Sequence, residues 1–283
     1  MLLKKFAPAP ALREYVHYYR IVHFRFEAAQ EQVKFFPPGP QFCLAFYPFG
    51  RERICKPDGS FILNAPQALL NGQQLEASTR HLTSNHFLTA QIFFTPAGLY
   101  RLTGINPTLL INTFTDAETI FGGQISPVNE QLAAATSYAG MIQLLDQFVI
   151  QQKDKSKGLK TAHSVDKVAS MILQDHTISI ERLARTAFSS TRQFQRVFKE
   201  RVGISPKLFE RIARFEKTYL YKLQNPDLSW TDIAYACQYS NYQHMAAEYR
   251  QLTGLSPQGY ELRELQSPEQ LLGIAPASHL VTE

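Results

Sequence analysis

Leu183-Ala184, Phe198, Gly203-Ile204-Ser205-Pro206 and Phe209 recur further along the chain as Ile233-Ala234, Tyr249, Gly254-Leu255-Ser256-Pro257 and Tyr260. The offset is 50 residues at the first pair and 51 at the last, so the second copy carries one extra residue. A pattern repeated at such a period marks one supersecondary unit used twice. Each copy reads as two short helices and a turn. Two such units on one chain suit two successive segments of a DNA major groove.

In the first copy Ile180, Leu183, Ala184 and Ala187 share one helical face. The next helix opens on Ser190-Thr191-Arg192-Gln193, a Ser-x-x-Gln capping signal. From that start Phe194, Val197 and Phe198 fall on one side, and Arg192, Gln195, Arg196 and Lys199 on the other. The apolar side must pack on the preceding helix, which turns Arg192, Gln195 and Arg196 outward from the helix's N-terminal half. Arginine can pair bidentately with guanine and glutamine with adenine. Lys199 and Arg201 are placed for phosphates.

In the second copy Ser229-Trp230-Thr231-Asp232 is again a capping signal, with Ile233, Ala234 and Cys237 inward. Its second helix starts near Ser240, with Met245 and Tyr249 inward and Asn241, Tyr242, Gln243 and Ala246 outward. A long helix from Pro206 to about Leu223 joins the copies and carries the stripe Leu208, Ile212, Phe215, Tyr219 and Leu223. Its length sets the distance between the two reading helices.

Charge is unevenly spread. The net +5 is only mildly basic, but Arg182 to Lys222 holds eleven Lys/Arg against three Glu, a balance of +8. Leu223 to Glu264 holds two Arg against five acids, a balance of −3. The first copy therefore reads as the anchor on a polyanion and the second does not.

Residues 1–115 follow a different pattern. Gln41 to Tyr47, Phe61-Ile62-Leu63, Ala68-Leu69-Leu70 and Leu88 to Phe94 are short apolar runs between turn signals. Many short strands at this spacing point to a barrel or sandwich such as a jelly roll. Helical spacing follows at Thr95–Leu102 and between Asn129 and Phe148, read as helices on or beside the barrel. Gln151 to Gly158 has no apolar residue and is the linker candidate. The expected division is 1–150 sensory or dimerisation domain, 151–163 linker, 164–265 DNA-binding domain and 266–283 C-terminal tail.

From Val165 to Leu262 the sequence resembles the AraC/XylS-type transcriptional regulators. The likeness rests on Leu183-Ala184, Arg196-Val197-Phe198-Lys199, Gly203-Ile204-Ser205-Pro206, Asp232-Ile233-Ala234 and Gly254-Leu255-Ser256-Pro257 with Tyr260. It implies one DNA-binding domain of two helix-turn-helix units and a linker helix, behind a variable domain for ligand sensing or dimerisation. Pro37 to Tyr47 and Phe93 to Gly98 resemble a cupin-like domain found on a subset of these regulators, and that likeness implies no effector.

Three positions depart from the family pattern. Phe188 and Gln238 replace the turn glycines, which predicts strained turns with φ above zero. Ala247 stands where the second reading helix usually has arginine. That departure leaves the second unit a role of shape and of polar contacts from Asn241, Tyr242 and Gln243.

No nucleophile–base pair and no Gly-rich phosphate loop is present, so no enzyme is expected. His81 and His86 lie five apart, which suits neither a helix face nor an alternating strand, so no metal and no cofactor is expected. His17 and His23 read as sheet residues. The aromatics Phe35, Phe36, Phe42, Phe46, Tyr47, Phe49, Phe93 and Phe94 read as the core of a small barrel before an effector pocket. Three isolated cysteines, no signal peptide and no apolar run long enough to span a bilayer point to the cytoplasm.

The expected architecture is multidomain α and β: an N-terminal cupin-like, jelly-roll domain with accessory helices, then an all-α domain of two helix-turn-helix units. The expected function is that of a bacterial sequence-specific transcription regulator. Its partners would be double-stranded DNA, a small-molecule effector, RNA polymerase and a second copy of the chain, with no membrane. A ligand-binding or scaffold protein with a degenerate DNA-binding domain is the alternative.

Overall fold

The computed structural model describes residues 1–27, 31–156, 161–175, 178–274 and 280–281. The N-terminal part contains strands β1 (Leu2–Phe6), β2 (Val16–Arg25), β3 (Gln32–Phe36), β4 (Cys43–Phe49), β5 (Glu52–Cys55), β6 (Phe61–Asn64), β7 (Ala68–Asn71), β8 (Ser78–Leu82), β9 (His86–Phe94) and β10 (Phe114–Asp116). They form two sheets. The larger has the order β10-β7-β4-β9-β2-β1, closed at its β1 edge by β11 (Leu280–Val281), and the smaller has the order β3-β8-β5-β6. All pairings are antiparallel except β1 with β11.

Strand alternation sorts the large sheet into two buried faces. Tyr19 and Ile21 of β2, Leu44 and Phe46 of β4, and Ala90 and Ile92 of β9 point one way. They pack against helices α3 (Ile125–Ala134) and α4 (Tyr138–Lys155), where Leu132, Leu145 and Phe148 are fully buried. These helices follow α1 (Gly98–Thr103) and α2 (Glu118–Phe121). Val22, Ala45, Tyr47, Leu69 and Phe87 point the other way and meet Ile54 and Leu82 of the small sheet. Burial on both faces explains why these strands read as nearly continuous apolar runs rather than as alternating ones.

Among the described residues from 164 to 274 the regular elements are all helices: α5 (Ser164–Gln174), α6 (Ile180–Thr186), α7 (Thr191–Val202), α8 (Pro206–Gln224), α9 (Trp230–Ala236), α10 (Tyr242–Thr253), α11 (Pro257–Glu264) and α12 (Pro268–Leu271). The repeated Gly-x-Ser-Pro has a local cause. Gly203 and Gly254 end α7 and α10 at φ of 104° and 76°, a conformation glycine adopts without a Cβ penalty. Ser205 and Ser256 cap the next helix by accepting from the N–H of Leu208 and Gly259, and Pro206 and Pro257 fill its first turn. Phe194, Phe198, Phe209, Ile212, Phe215 and Tyr249 then close one core shared by both units.

Two expectations about chain organisation are corrected. Gln151 to Lys155 is the last turn of α4, because Gln152 is buried and donates to Gln124 Oε1 at 2.6 Å. The linker therefore begins after α4, and residues 157–160 lie outside the described residues. The C-terminal segment is not a free tail as far as it is described. Ser267, Pro268 and Glu269 are buried, α12 lies against β3, and Leu280–Val281 extend the large sheet.

The helical part is seated on the sheets at two places. At one, Asp166 of α5 accepts from Arg201 of α7 at 2.6 and 2.7 Å and lies 3.9 Å from Arg101 of α1. Gly203 sits close enough to Gln73 and Pro107 that a Cβ there would lie 2.7 Å from Gln73 Oε1. At the other, Lys34 of β3 pairs with Glu269 and lies 3.7 Å from Glu264, while Phe35 meets the Tyr260 ring edge-on.

Candidate nucleic-acid interface

Both helix-turn-helix turns are built alike. Phe188 N–H donates to Arg185 O and Ser189 N–H to Ala184 O, at 3.0 Å each. Gln238 and Tyr239 repeat this on Tyr235 O and Ala234 O at 2.9 Å. This helix-ending motif needs a left-handed residue, and Phe188 and Gln238 supply it at φ of 54° and 63°. The strain read from the sequence is therefore present. Phe188 is also 94% exposed, so its ring gains little from packing. Phe188→Gly should raise the unfolding free energy by about 1 kcal/mol, since left-handed backbone costs a non-glycine residue about 1–2 kcal/mol. Urea unfolding of the two proteins checks this, and an unchanged or lowered midpoint would contradict it.

The first reading helix is α7. Ser190 Oγ accepts from Gln193 N–H at 3.3 Å and starts it. Phe194 and Phe198 are fully buried and Val197 nearly so, which fixes the roll of the helix against α5, α6 and α8. Arg192, Gln195, Arg196 and Lys199 are then all exposed along one side. Arg196 has Glu200 at 3.7 Å, but both side chains are more than half exposed, so water screens the pair. These four groups form one exposed face that offers guanidinium, carboxamide and ammonium donors.

Arg201 does not join them. It is 7% exposed, spends its Nε and one terminal nitrogen on Asp166, and donates also to Thr161 O at 2.9 Å. It also stacks over Tyr100 at 5.1 Å. Its place in the last turn of α7 turns it toward the sheets, so the phosphate role expected of it is withdrawn.

The second reading helix is α10, and three expectations change there. Asn241 is its N-cap and stays exposed, but its carboxamide oxygen is engaged, accepting from His244 N–H at 2.8 Å. Tyr242 is half-buried and donates its hydroxyl to Gln258 Oε1 at 2.8 Å. Ala246 is 2% exposed, because α10 buries Ala246 and Glu248 as well as the expected Met245 and Tyr249. Gln243, Ala247 and Arg250 form the exposed strip instead. Arg250 escaped the sequence reading, although its spacing of seven from Gln243 places both on one face.

The −3 balance of this second region also has a structural explanation. Glu248 is 5% exposed and accepts from Arg211 of α8 at 2.8 Å, with Arg214 at 3.6 Å and the Tyr239 hydroxyl on its other oxygen. Glu261 accepts from Trp230 Nε1 at 2.9 Å and lies 3.4 Å from Lys222. Two of the second unit's five acids, Glu248 and Glu261, thus neutralise cations of α8 within the fold, and Glu264 lies by Lys34 of β3.

His17, His23, His81 and His86 are placed as sheet residues. His23 and His86 meet through Nε2 at 3.0 Å, and His23 Nδ1 contacts the Tyr138 hydroxyl at 2.8 Å. His81 lies beside Arg53 and Glu31, apart from His86. His17 bonds Gln41. Among the described residues no group of three metal-ligating side chains converges, and no helix is long and apolar enough to cross a membrane.

Residues 183–263 match the family model described as a helix-turn-helix domain. No protein with a curated description matches the chain. Among solved structures, ToxT from Vibrio cholerae is similar at 9% identity, covering 87% of this chain and 98% of that one, with a TM-score of 0.47. Unsaturated fatty acid bound wild-type ToxT from Vibrio cholerae strain SCE256 is similar at 8% identity, covering 91% and 97%, with a TM-score of 0.48. Likeness this remote says nothing of what this chain binds. The C-terminal part of the chain is a helix-turn-helix domain of the AraC type, carrying two such units joined by α8.

Proposed function

We propose that the chain is a sequence-specific DNA-binding transcription regulator controlled by a small molecule that its N-terminal β-rich part senses. The observation that carries this reading is the exposed row Arg192, Gln195, Arg196 and Lys199 on a helix whose opposite side is locked in the core. Arg192, Gln195 and Arg196 read base edges in the major groove, and Lys199 holds a phosphate. Gln243 and Arg250 of the second unit give weaker contacts one groove face away. Helix α8 has 19 residues and spans about 28 Å. That length supports two reading helices about one turn of B-DNA apart, a spacing of roughly 34 Å.

The test is binding of the full chain to DNA from upstream of its own gene, against unrelated DNA, across a salt series. Preference for the upstream fragment, with affinity falling steeply as salt rises, is the expected result. Equal affinity for both fragments, or affinity indifferent to salt, would overturn the reading. In the same assay Lys199→Ala should weaken binding to both fragments alike and lower the salt slope by about one.

A further inference from the structure

The two sheets and helices α8, α11 and α12 line a partly open cavity of about 230 Å³. At about 30 Å³ per water in the liquid, it has room for roughly eight waters, or one small organic molecule. Its walls are not those of an ordinary apolar core. Thr89 is 1% exposed and Arg80 5% exposed, both line the cavity, and Thr89 Oγ1 and Arg80 Nε have no hydrogen-bond partner among the described residues. Buried polar atoms of this kind are normally satisfied, so they mark a place for a polar occupant.

The charges on one rung of the large sheet are more specific. Lys5 of β1 stands directly opposite Arg20 of β2, and Arg20 opposite Gln91 of β9, all lining the cavity. Like charges directly opposite each other destabilise a sheet. Arg20 donates to Gln91 Oε1 at 2.6 Å and stacks over Phe93, and Lys5 lies over the Tyr18 ring. Among the described residues no ion pair joins either cation to a carboxylate. The acid whose field reaches both is Glu216 of α8, which also lines the cavity and has no ion pair of its own there. Burial pulls the Lys5 ammonium down and pushes the Glu216 carboxyl up, the direction expected of buried charges without contact partners.

A ligand with only a carboxylate would satisfy Lys5 and Arg20 but bring a second anion toward Glu216. One with only an amine would satisfy Glu216 and meet two cations. A neutral one would relieve neither. We propose that this cavity binds a small zwitterion with an aromatic body, its carboxylate between Lys5 and Arg20 and its ammonium on Glu216. Tyr18, Phe93 and Tyr219 supply the apolar wall for the body. This inference rests on the proposed function for its purpose: the ligand would tie the sheet to α8, the helix that spaces the two reading helices.

Calorimetric titration of the full chain, without DNA, with L-phenylalanine, 3-phenylpropanoate and 2-phenylethylamine tests it. L-phenylalanine is expected to bind at least about tenfold more tightly than either single-charge probe, the scale of one charge-assisted contact. Glu216→Gln should weaken L-phenylalanine and strengthen 3-phenylpropanoate, whose carboxylate no longer faces a second anion, so that the preference for the zwitterion is lost. Lys5→Gln should weaken both carboxylate probes without weakening 2-phenylethylamine, which shows that the site and not the fold has changed. Equal binding of 3-phenylpropanoate and L-phenylalanine would overturn the proposal, as would a preference that survives Glu216→Gln or no binding of any probe. Because DNA is absent, a chain that binds the zwitterion as expected yet ignores its upstream DNA would refute the regulator reading alone.

Discussion

Asp166→Ala is expected to lower the unfolding free energy by about 3–5 kcal/mol, the cost of removing one partner from a buried ion pair. Asp166 is 12% exposed at its side chain and accepts two bonds from Arg201, itself 9% exposed. Its removal would leave that guanidinium buried without an anion, with Arg101 close by. The same carboxylate closes the cap of α5 by accepting from His163 N–H at 3.0 Å, so the helix start is lost with it. Asp166→Asn keeps the shape and part of the cap, and should fall between the two. Urea unfolding checks the series. A loss below about 1 kcal/mol for the alanine variant would mean that the pair is screened like a surface one.

Arg196→Ala is expected to cost about 1–3 kcal/mol of specific DNA binding and to relax the preference at one base position. Its stability should stay near the parent's, because Arg196 is 69% exposed at its side chain and its partner Glu200 is exposed too. Anisotropy titrations against the upstream site and against single-base variants of it separate the two effects. A parallel loss on every sequence would instead make Arg196 a phosphate contact like Lys199.

The helical half was legible because its signals are local. Gly-x-Ser-Pro combines a helix stop, a cap and a first-turn proline in four residues, and the α7 face follows from a period of 3.6. The left-handed turns at Phe188 and Gln238 were legible only through the family resemblance, because these residues stand where its turn glycines are expected. What escaped depends on partners far along the chain. Arg201 looks free in sequence because Asp166 lies 35 residues away, and Glu248 looks like an acidic surface because Arg211 is 37 residues away. Ala246 was misplaced because α10 buries Ala246 and Glu248 beside Met245 and Tyr249, a wider face than the apolar pattern marks.

The β-rich half was legible as strands but not as a site. Lys5, Arg20 and Gln91 share a rung only through pairings of β1, β2 and β9 that no spacing announces. Glu216 joins them from a helix in the other half of the chain. The linker reading failed because Gln151 to Lys155 is polar yet still helical, held by a buried glutamine that composition cannot distinguish from an exposed one.

The most direct measurement of the central claim is a footprint of the full chain on its upstream DNA, read at major-groove guanines. Two protected patches on one face of the duplex, about 10 base pairs apart, are expected from two reading helices spaced by α8. The patch belonging to the first unit should be the stronger, and Arg196→Ala should weaken that patch. A single patch, protection without a fixed position, or two patches at a spacing that α8 cannot span would contradict the account.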